Sequence, residues 1–162
     1  MSSPSNLPAA AIPAEPAPRP FEALFEIPWG LRVTLLVGAV LGWGLLALAW
    51  GLAPDPRGYG THEQLGMAPC GVVKLIGMRC PSCGMTTSFN RLAHGDLAGA
   101  MAANAGGAVM GIGWFLAAPW MAVCGARGKW WGFVPQDWHT LLAGCVILGI
   151  TLVDWLVRLA SV

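Results

Sequence analysis

Three long runs of apolar residues, separated by polar segments, dominate the pattern of this chain. Residues 33–53 and 97–126 carry no charged side chain, and residues 140–157 carry only Asp154. As an α-helix, about 20 apolar residues span a hydrocarbon core of about 30 Å. The pattern therefore predicts an all-α integral membrane fold with three transmembrane helices, at about residues 33–53, 101–124 and 140–157.

The remaining segments complete the predicted domain organisation. Residues 1–28 are rich in Pro and Ala, and we expect a mobile tail because this composition cannot bury a core. Residues 29–162 form the expected membrane domain. Within it, a cysteine-rich polar segment at residues 55–96 begins where Pro54 and Asp55 end the first apolar run.

Composition indicates that the lipid bilayer is a main partner of this chain. Hydrophobic residues make up 56% of the sequence and charged residues 10%, with a mean hydropathy of +0.60, which is unlike a soluble domain. The net charge of +1 provides no field that would attract nucleic acid, so we expect no nucleic-acid partner. Basic residues divide almost evenly between the two sides of a three-helix topology, so they do not set its orientation.

The cysteine-rich segment carries the residues with distinctive chemistry. Cys80 and Cys83 form a C-x-x-C motif and Cys70 lies upstream, whereas Cys124 and Cys145 lie in apolar runs and are interpreted as packed thiols. A C-x-x-C pair serves metal binding, a disulfide or redox exchange. The spacing alone does not choose among these three uses.

A short helix is predicted directly after this motif, at residues 85–94, with Gly95 as its C-terminal stop. We expect this helix to be interfacial and to carry the motif, with Gly84 as a structural position between the two. Cys83 would then lie at the helix N-terminus. Backbone N–H groups and the helix dipole favour a thiolate there, so a lowered pKa is expected for Cys83.

Zinc is the metal that such a cysteine set would favour, and a structural zinc site needs four ligands. Cys70, Cys80 and Cys83 supply three, and His94 or His62 is the candidate for the fourth. His94 lies eleven residues beyond Cys83, about three helical turns away, so a straight helix keeps it from the sulfurs. Its simpler role is that of an imidazole near a helix C-terminus.

Small residues recur at every fourth position of the second apolar run, and we interpret them as structural positions. They would form one flat ridge for tight helix packing, within the chain or between copies. They are Gly99, Ala103, Gly107 and Gly111. Gly38 and Gly42 offer a shorter matching groove on the first helix.

Four polar residues near the apolar runs also have predicted structural roles. Asp96 is placed to cap the second run. Asn104 needs polar partners, either within the protein, where it would anchor the cysteine segment, or in water at the interface. Asp154 and Arg158 lie one helical turn apart and are predicted to pair, although an acidic residue in a membrane also marks proton or ion paths.

The order and spacing of these residues resemble a family of bacterial membrane proteins, the domain of unknown function 2752. The resemblance rests on Cys70, the stretch GMRCPSCGMT at residues 77–86, the HGD stretch at residues 94–96, and Asn104. It covers roughly residues 69–113. It implies that the three-cysteine segment is a unit and implies no particular reaction. With this resemblance we expect a multi-pass protein of a bacterial inner membrane.

The chain departs from that family pattern at two positions. Thr87 stands where the family usually has Arg, and Ala105 stands where it usually has Pro. Any anion-binding role of the family Arg would be absent here or moved to Arg91, one turn further along the helix. The missing Pro removes an expected kink after Asn104.

Three functions are compatible with these features. The preferred hypothesis is a non-enzymatic membrane scaffold or assembly subunit, with other membrane subunits or copies of itself as partners and a polar cap clamped by metal or disulfide. The alternative is a membrane thiol-disulfide oxidoreductase that uses Cys80 and Cys83. The third is an oligomeric transporter that uses Asn104 and Asp154 as polar groups in the bundle.

Overall fold

The computed structural model describes residues 25–160, and this part of the chain is helical. Residues 1–24, which hold most of the predicted mobile tail, lie outside the described residues. A 3₁₀ helix at Thr61–Leu65 accompanies six α-helices: α1 Trp29–Trp50, α2 Gly71–Ile76, α3 Met85–Ala93, α4 Leu97–Ala103, α5 Ala105–Arg127 and α6 Asp137–Ala160. Within residues 25–160 no β-strand forms, so the predicted all-α fold class is confirmed.

Three of these helices, α1, α5 and α6, are long and apolar enough to cross a membrane. They contain 22, 23 and 24 residues, which suffice for a hydrocarbon core of about 30 Å. The predicted set of three membrane helices is therefore confirmed. Crossings by all three would put the polar segment between α1 and α5 on one side of the bilayer and the loop after α5 on the other.

The most extensive packing between membrane helices joins α1 and α5. Side chains of α5 fill the groove at two glycines of α1, because Met121 packs on Gly38 and Trp114 packs on Gly42. At the far end of the pair, Arg32 Nε donates to the carbonyl of Gly125 at 3.0 Å. The groove on α1 therefore receives large side chains, and the prediction that it matches a flat glycine ridge is wrong.

The second apolar run is interrupted at Asn104, although its sequence predicted one continuous helix. Helix α4 ends at Ala103 and α5 begins at Ala105, with Asn104 in an extended conformation at φ −166° and ψ 110°. The Asn104 Oδ1 accepts a hydrogen bond from the Gly107 N–H at 2.7 Å and caps α5. The helix breaks without the family proline because an asparagine cap provides its own alternative to the helical hydrogen bond.

The break also splits the predicted ridge of small residues. Gly107 and Gly111 face α3, where Met85 and Ser88 pack on the first and Phe89 and Leu92 on the second. Gly99 instead lies against the side chains of Asp96 and Arg91. These glycines therefore admit a short helix of the polar segment rather than another transmembrane helix.

Helix α3 consequently lies inside the helix bundle, between the C-terminal end of α1 and the N-terminal end of α5. Its residues Thr87, Ser88 and Asn90 are fully buried. Asn90 Nδ2 donates to the carbonyls of Ala49 at 2.7 Å and Leu52 at 2.6 Å, which satisfies the end of α1. The helix after the cysteine motif is thus fixed on both sides.

Helix α6 packs on α5 and leaves most of its apolar surface exposed. Gly106 permits a close approach, since an added Cβ there would lie 3.1 Å from the Cα of Thr151. Thr151 is the one residue of α6 classed as buried. The remaining apolar surface suits lipid contact.

Replacing Gly107 with Leu should lower the free energy of unfolding by about 1–3 kcal/mol, the usual cost of overpacking. The added side chain would begin with a Cβ only 3.2 Å from atoms of Met85 and Ser88. Thermal unfolding of the purified protein in detergent measures the effect. The matched control is Gly113→Leu, also in α5, where an added Cβ meets no atom within 4 Å. Equal destabilisation by both changes would contradict the packing of α3 on α5.

Candidate functional site

Three cysteine thiols converge at the end of the polar segment nearest the helix break. Cys70 lies just before α2, while Cys80 and Cys83 lie in the turn that precedes α3. The Sγ of Cys80 lies 3.6 Å from that of Cys70 and 3.1 Å from that of Cys83. All three Sγ atoms lie within 4.8 Å of one another, and the thiols are free. The structure therefore brings together all three predicted cysteines.

The turn that carries Cys80 and Cys83 depends on a glycine. The Cys83 N–H donates to the Cys80 carbonyl at 3.0 Å, and Gly84 follows at φ +90°. A Cβ at Gly84 would collide with the carbonyl oxygen of Ala103 and lie 2.8 Å from that of Gly58. Only glycine combines this left-handed conformation with such a close backbone approach. Gly84 thus allows the motif to pack directly against the helix break.

Asn104 fastens the same turn from the other side. Its Nδ2 donates to the carbonyls of Pro81 at 2.9 Å and Cys83 at 3.2 Å, and the side chain is fully buried. Ser88 adds a second link, because its hydroxyl donates to the carbonyls of Ala100 at 2.9 Å and Asn104 at 3.1 Å. One asparagine therefore caps α5 and holds the cysteine turn, and water is not needed to satisfy it.

An ion pair on α6 satisfies two further backbone groups of the break. Asp154 Oδ2 accepts from the Ala105 N–H at 3.1 Å, and Arg158 Nη1 donates to the Ala103 carbonyl at 2.7 Å. Asp154 and Arg158 also form a salt bridge with each other. The i, i+4 spacing predicted the pair, but nothing in the local sequence indicated that it binds the backbone on either side of Asn104.

A cavity of about 210 Å³ opens beside the three thiols, which help to line it. The other lining residues include Tyr59, His62, Glu63 and Thr86. The 3₁₀ helix that carries His62 is fixed by a buried hydrogen bond of 2.8 Å between the hydroxyls of Thr61 and Thr87. Thr87 thus holds the 3₁₀ helix against α3 in this chain.

His94 lies away from this cavity, although the sequence left it as a candidate ligand beside His62. Its Nδ1 lies 2.9 Å from the Asn90 carbonyl oxygen, and its ring contacts Trp50 edge to face. His94 lines a different cavity, whose other lining residues include Pro54 and Asp96. The straight helix α3 separates His94 from the sulfurs, as its spacing of about three turns implies.

Asp96 and Arg91 form a separate small cluster. Asp96 Oδ1 accepts from the Gly99 N–H at 2.8 Å and so caps α4, the short first helix of the run. Arg91 Nη1 lies 3.5 Å from Asp96 Oδ2. These two residues therefore stabilise the turn between α3 and α4 and are not directed at the thiols.

A network of charged groups adjoins the thiol cavity, which it reaches through Tyr59 and Glu63. Arg57 Nη2 binds Asp55 at 2.7 Å and Glu63 at 3.0 Å, so the Glu63 carboxylate already has a partner. Arg79 Nη2 donates to the Arg57 carbonyl at 2.7 Å, and both guanidinium groups lie over the ring of Tyr59. This network ties the 3₁₀ helix to the segment between Cys70 and Cys80.

Cys70 and Cys83 differ in their electrostatic surroundings. The nearby backbone N–H of Val73, with smaller help from Cys83 and Cys80, lowers the pKa of Cys70 to about 7. Burial, followed by hydrogen bonding with Cys80 and Cys70, raises the pKa of Cys83 to about 12. The predicted lowering of the Cys83 pKa is therefore wrong. Gly84, and not Cys83, is the N-cap of α3, and the Cys83 side chain is withdrawn from water.

Comparison with known proteins agrees with the family resemblance noted in the sequence. Residues 70–124 match the model of a family described as "Protein of unknown function (DUF2752)". The match contains the three clustered cysteines, Asn104 and most of α5. No curated protein and no solved structure is significantly similar to the chain. The matched region therefore includes the cysteine turn and most of the interrupted helix that holds it in this chain.

In the reduced protein without metal, alkylation of Cys70 and Cys83 should depend differently on pH. A thiol reacts as its thiolate, and the thiolate fraction rises with pH. About half of the Cys70 side chains should therefore be thiolate near pH 7, whereas Cys83 should stay protonated until about pH 12. Iodoacetamide labelling followed by mass spectrometry of the peptides measures both. Equal reactivity of the two residues at neutral pH would contradict this assignment.

Proposed function

We propose that this chain is a small scaffold or assembly subunit of a bacterial inner membrane, in which a zinc ion bound by Cys70, Cys80 and Cys83 clamps a polar cap. The polar cap is the segment of residues 55–96. The observation that carries the proposal is the convergence of three free thiols, from two separate parts of the cap, within 4.8 Å.

The spacing of the thiols is compatible with a tetrahedral metal ion. With Zn–S bonds of about 2.3 Å, sulfur ligands in a tetrahedron lie about 3.8 Å apart. The Cys80 Sγ lies 3.6 and 3.1 Å from its two neighbours, so small rotations of the side chains would produce that spacing. Thiolates are also the ligands that zinc prefers, and binding would release their protons.

His62 is the better candidate for a fourth ligand. It lines the same cavity as the thiols, and it belongs to the 3₁₀ helix bound to α3 through Thr61 and Thr87. Among the described residues, the set of ligand atoms within 4.8 Å of one another contains only the three thiols. His62 therefore needs a side-chain movement to complete the site, or a water molecule takes the fourth position.

A clamp at the cysteines would fix a part of the cap that packs poorly, the segment between Cys70 and Cys80. Helix α2, between Cys70 and Cys80, buries none of its residues. Leu75 and Ile76 on this helix are 87% and 63% exposed. A metal bond at each end of this segment would fix the position of an apolar surface that suits a neighbouring membrane subunit.

The two other functions receive less support. Transport through Asn104 and Asp154 would need polar groups that are available to a substrate, yet both side chains are engaged with backbone groups of the helix break. Thiol exchange through the C-x-x-C pair would need a reactive thiolate there, and the raised pKa of Cys83 opposes that role for this residue. The scaffold therefore remains the proposal that uses the observed contacts most directly.

Elemental analysis of the detergent-purified protein should find about one zinc per chain, and replacing both Cys80 and Cys83 with Ser should abolish zinc binding because two sulfur ligands are lost. The double variant should also accumulate less and assemble less, as measured by size-exclusion chromatography of membrane extracts. Cys145→Ser is the matched control, since Cys145 lies on α6 and outside the cluster.

Two results would contradict the proposal. If no metal is found and two of the three thiols react with maleimide only after reduction, while the third reacts without it, the clamp is a disulfide and thiol exchange becomes the leading function. If the double Ser variant accumulates and assembles like the Cys145→Ser control, the cluster does not support a scaffold.

A further inference from the structure

A further cavity, of about 480 Å³, lies between the cysteine-bounded segment and the end of α6. Val73 and Arg79 line it from the segment between Cys70 and Cys80, and Tyr59 lines it from the preceding loop. Trp155, Arg158 and Leu159 line it from α6. The thiol cavity is lined by different residues, apart from Tyr59.

The charge of this cavity is positive. Among residues 25–160, no ion pair includes Arg79. Its guanidinium donates one hydrogen bond to the Arg57 carbonyl and lies over the Tyr59 ring. Arg158 provides a second guanidinium, bound to Asp154. Residues 70–79 contain Lys74 and Arg79 but no acidic residue. An anion is therefore the ligand with complementary charge.

The position of the cavity gives it both a polar and an apolar side. Trp155, Arg158 and Leu159 lie in the last turns of α6, a helix long enough to cross the membrane, so they belong at the level of the lipid headgroups. Trp155 Nε1 donates to the Arg79 carbonyl at 2.7 Å and joins the two walls. Val73 and Leu159 provide apolar contact next to the two guanidinium groups.

We infer that this cavity binds the phosphate group of an anionic phospholipid. Arg79 supplies the positive charge and a planar set of donors that fits phosphate oxygens. The apolar wall on α6 contacts the glycerol and the upper part of the acyl chains, which a free phosphate lacks. The lipid joins α6 to the cysteine-bounded segment, two parts of the chain that are otherwise connected here through the Trp155 hydrogen bond.

The test measures retention of fluorescent phosphatidylglycerol by the full-length protein in detergent, with phosphatidylcholine and inorganic phosphate as competitors. The intact protein should retain phosphatidylglycerol, and excess phosphatidylcholine should not displace it. Arg79→Gln should weaken retention about tenfold, because a charged hydrogen-bond donor is lost. Arg127→Gln, at the exposed opposite end of α5, is the matched control and should bind like the intact protein.

A second variant keeps the test decisive if Arg79→Gln does not fold. Leu159→Glu places a negative charge on the α6 wall, leaves the bond between Arg79 and the Arg57 carbonyl intact, and should also weaken retention. Equal retention by Arg79→Gln, or by Leu159→Glu, and the Arg127→Gln control would overturn the inference. Complete displacement by inorganic phosphate would overturn the lipid assignment, since the cavity would then select a free anion.

Discussion

The structure depends on how the backbone is satisfied where the second membrane run is broken. A helix that ends and restarts near a bilayer leaves N–H and C=O groups without helical partners, and leaving them unbonded away from water is costly. Asn104, Asp154, Arg158 and Ser88 supply these partners. Asn104 lies at the break itself, Ser88 lies on α3, and Asp154 and Arg158 lie on α6. The break is therefore also the point where these helices are joined.

The same break explains the position of the cysteines. Because Asn104 has both an acceptor and two donors, it caps α5 and still binds the carbonyls of Pro81 and Cys83. Gly84 allows the turn to lie against the end of α4. The thiols are thus held by backbone contacts on one side, and their other side faces a cavity where an ion can be bound.

The sequence predicts local features well and distant contacts poorly. Hydrophobicity and length define a membrane helix locally, so the three spans follow from the three apolar runs, of which only the third carries a charged residue, Asp154. The break at Asn104 was not predicted, because no Pro follows it and an asparagine cap is not distinguished from an asparagine within a helix. The hydrogen bond from the Ala105 N–H to Asp154, which supports the break, joins residues 49 positions apart. The choice between His62 and His94 likewise depends on a tertiary contact, the bond between Thr61 and Thr87.

Hydrogen exchange of the cysteine turn in an Asn104→Ala variant tests most directly whether Asn104 holds that turn. Exchange of the amides of Cys83 and Met85, both bonded within the turn, should become faster, whereas the second half of α5 should stay protected. Thr140→Ala, an exposed polar change on α6, should leave the turn as it is in the intact protein. Unchanged exchange of the turn in Asn104→Ala would show that the helix break does not organise the cysteine cluster.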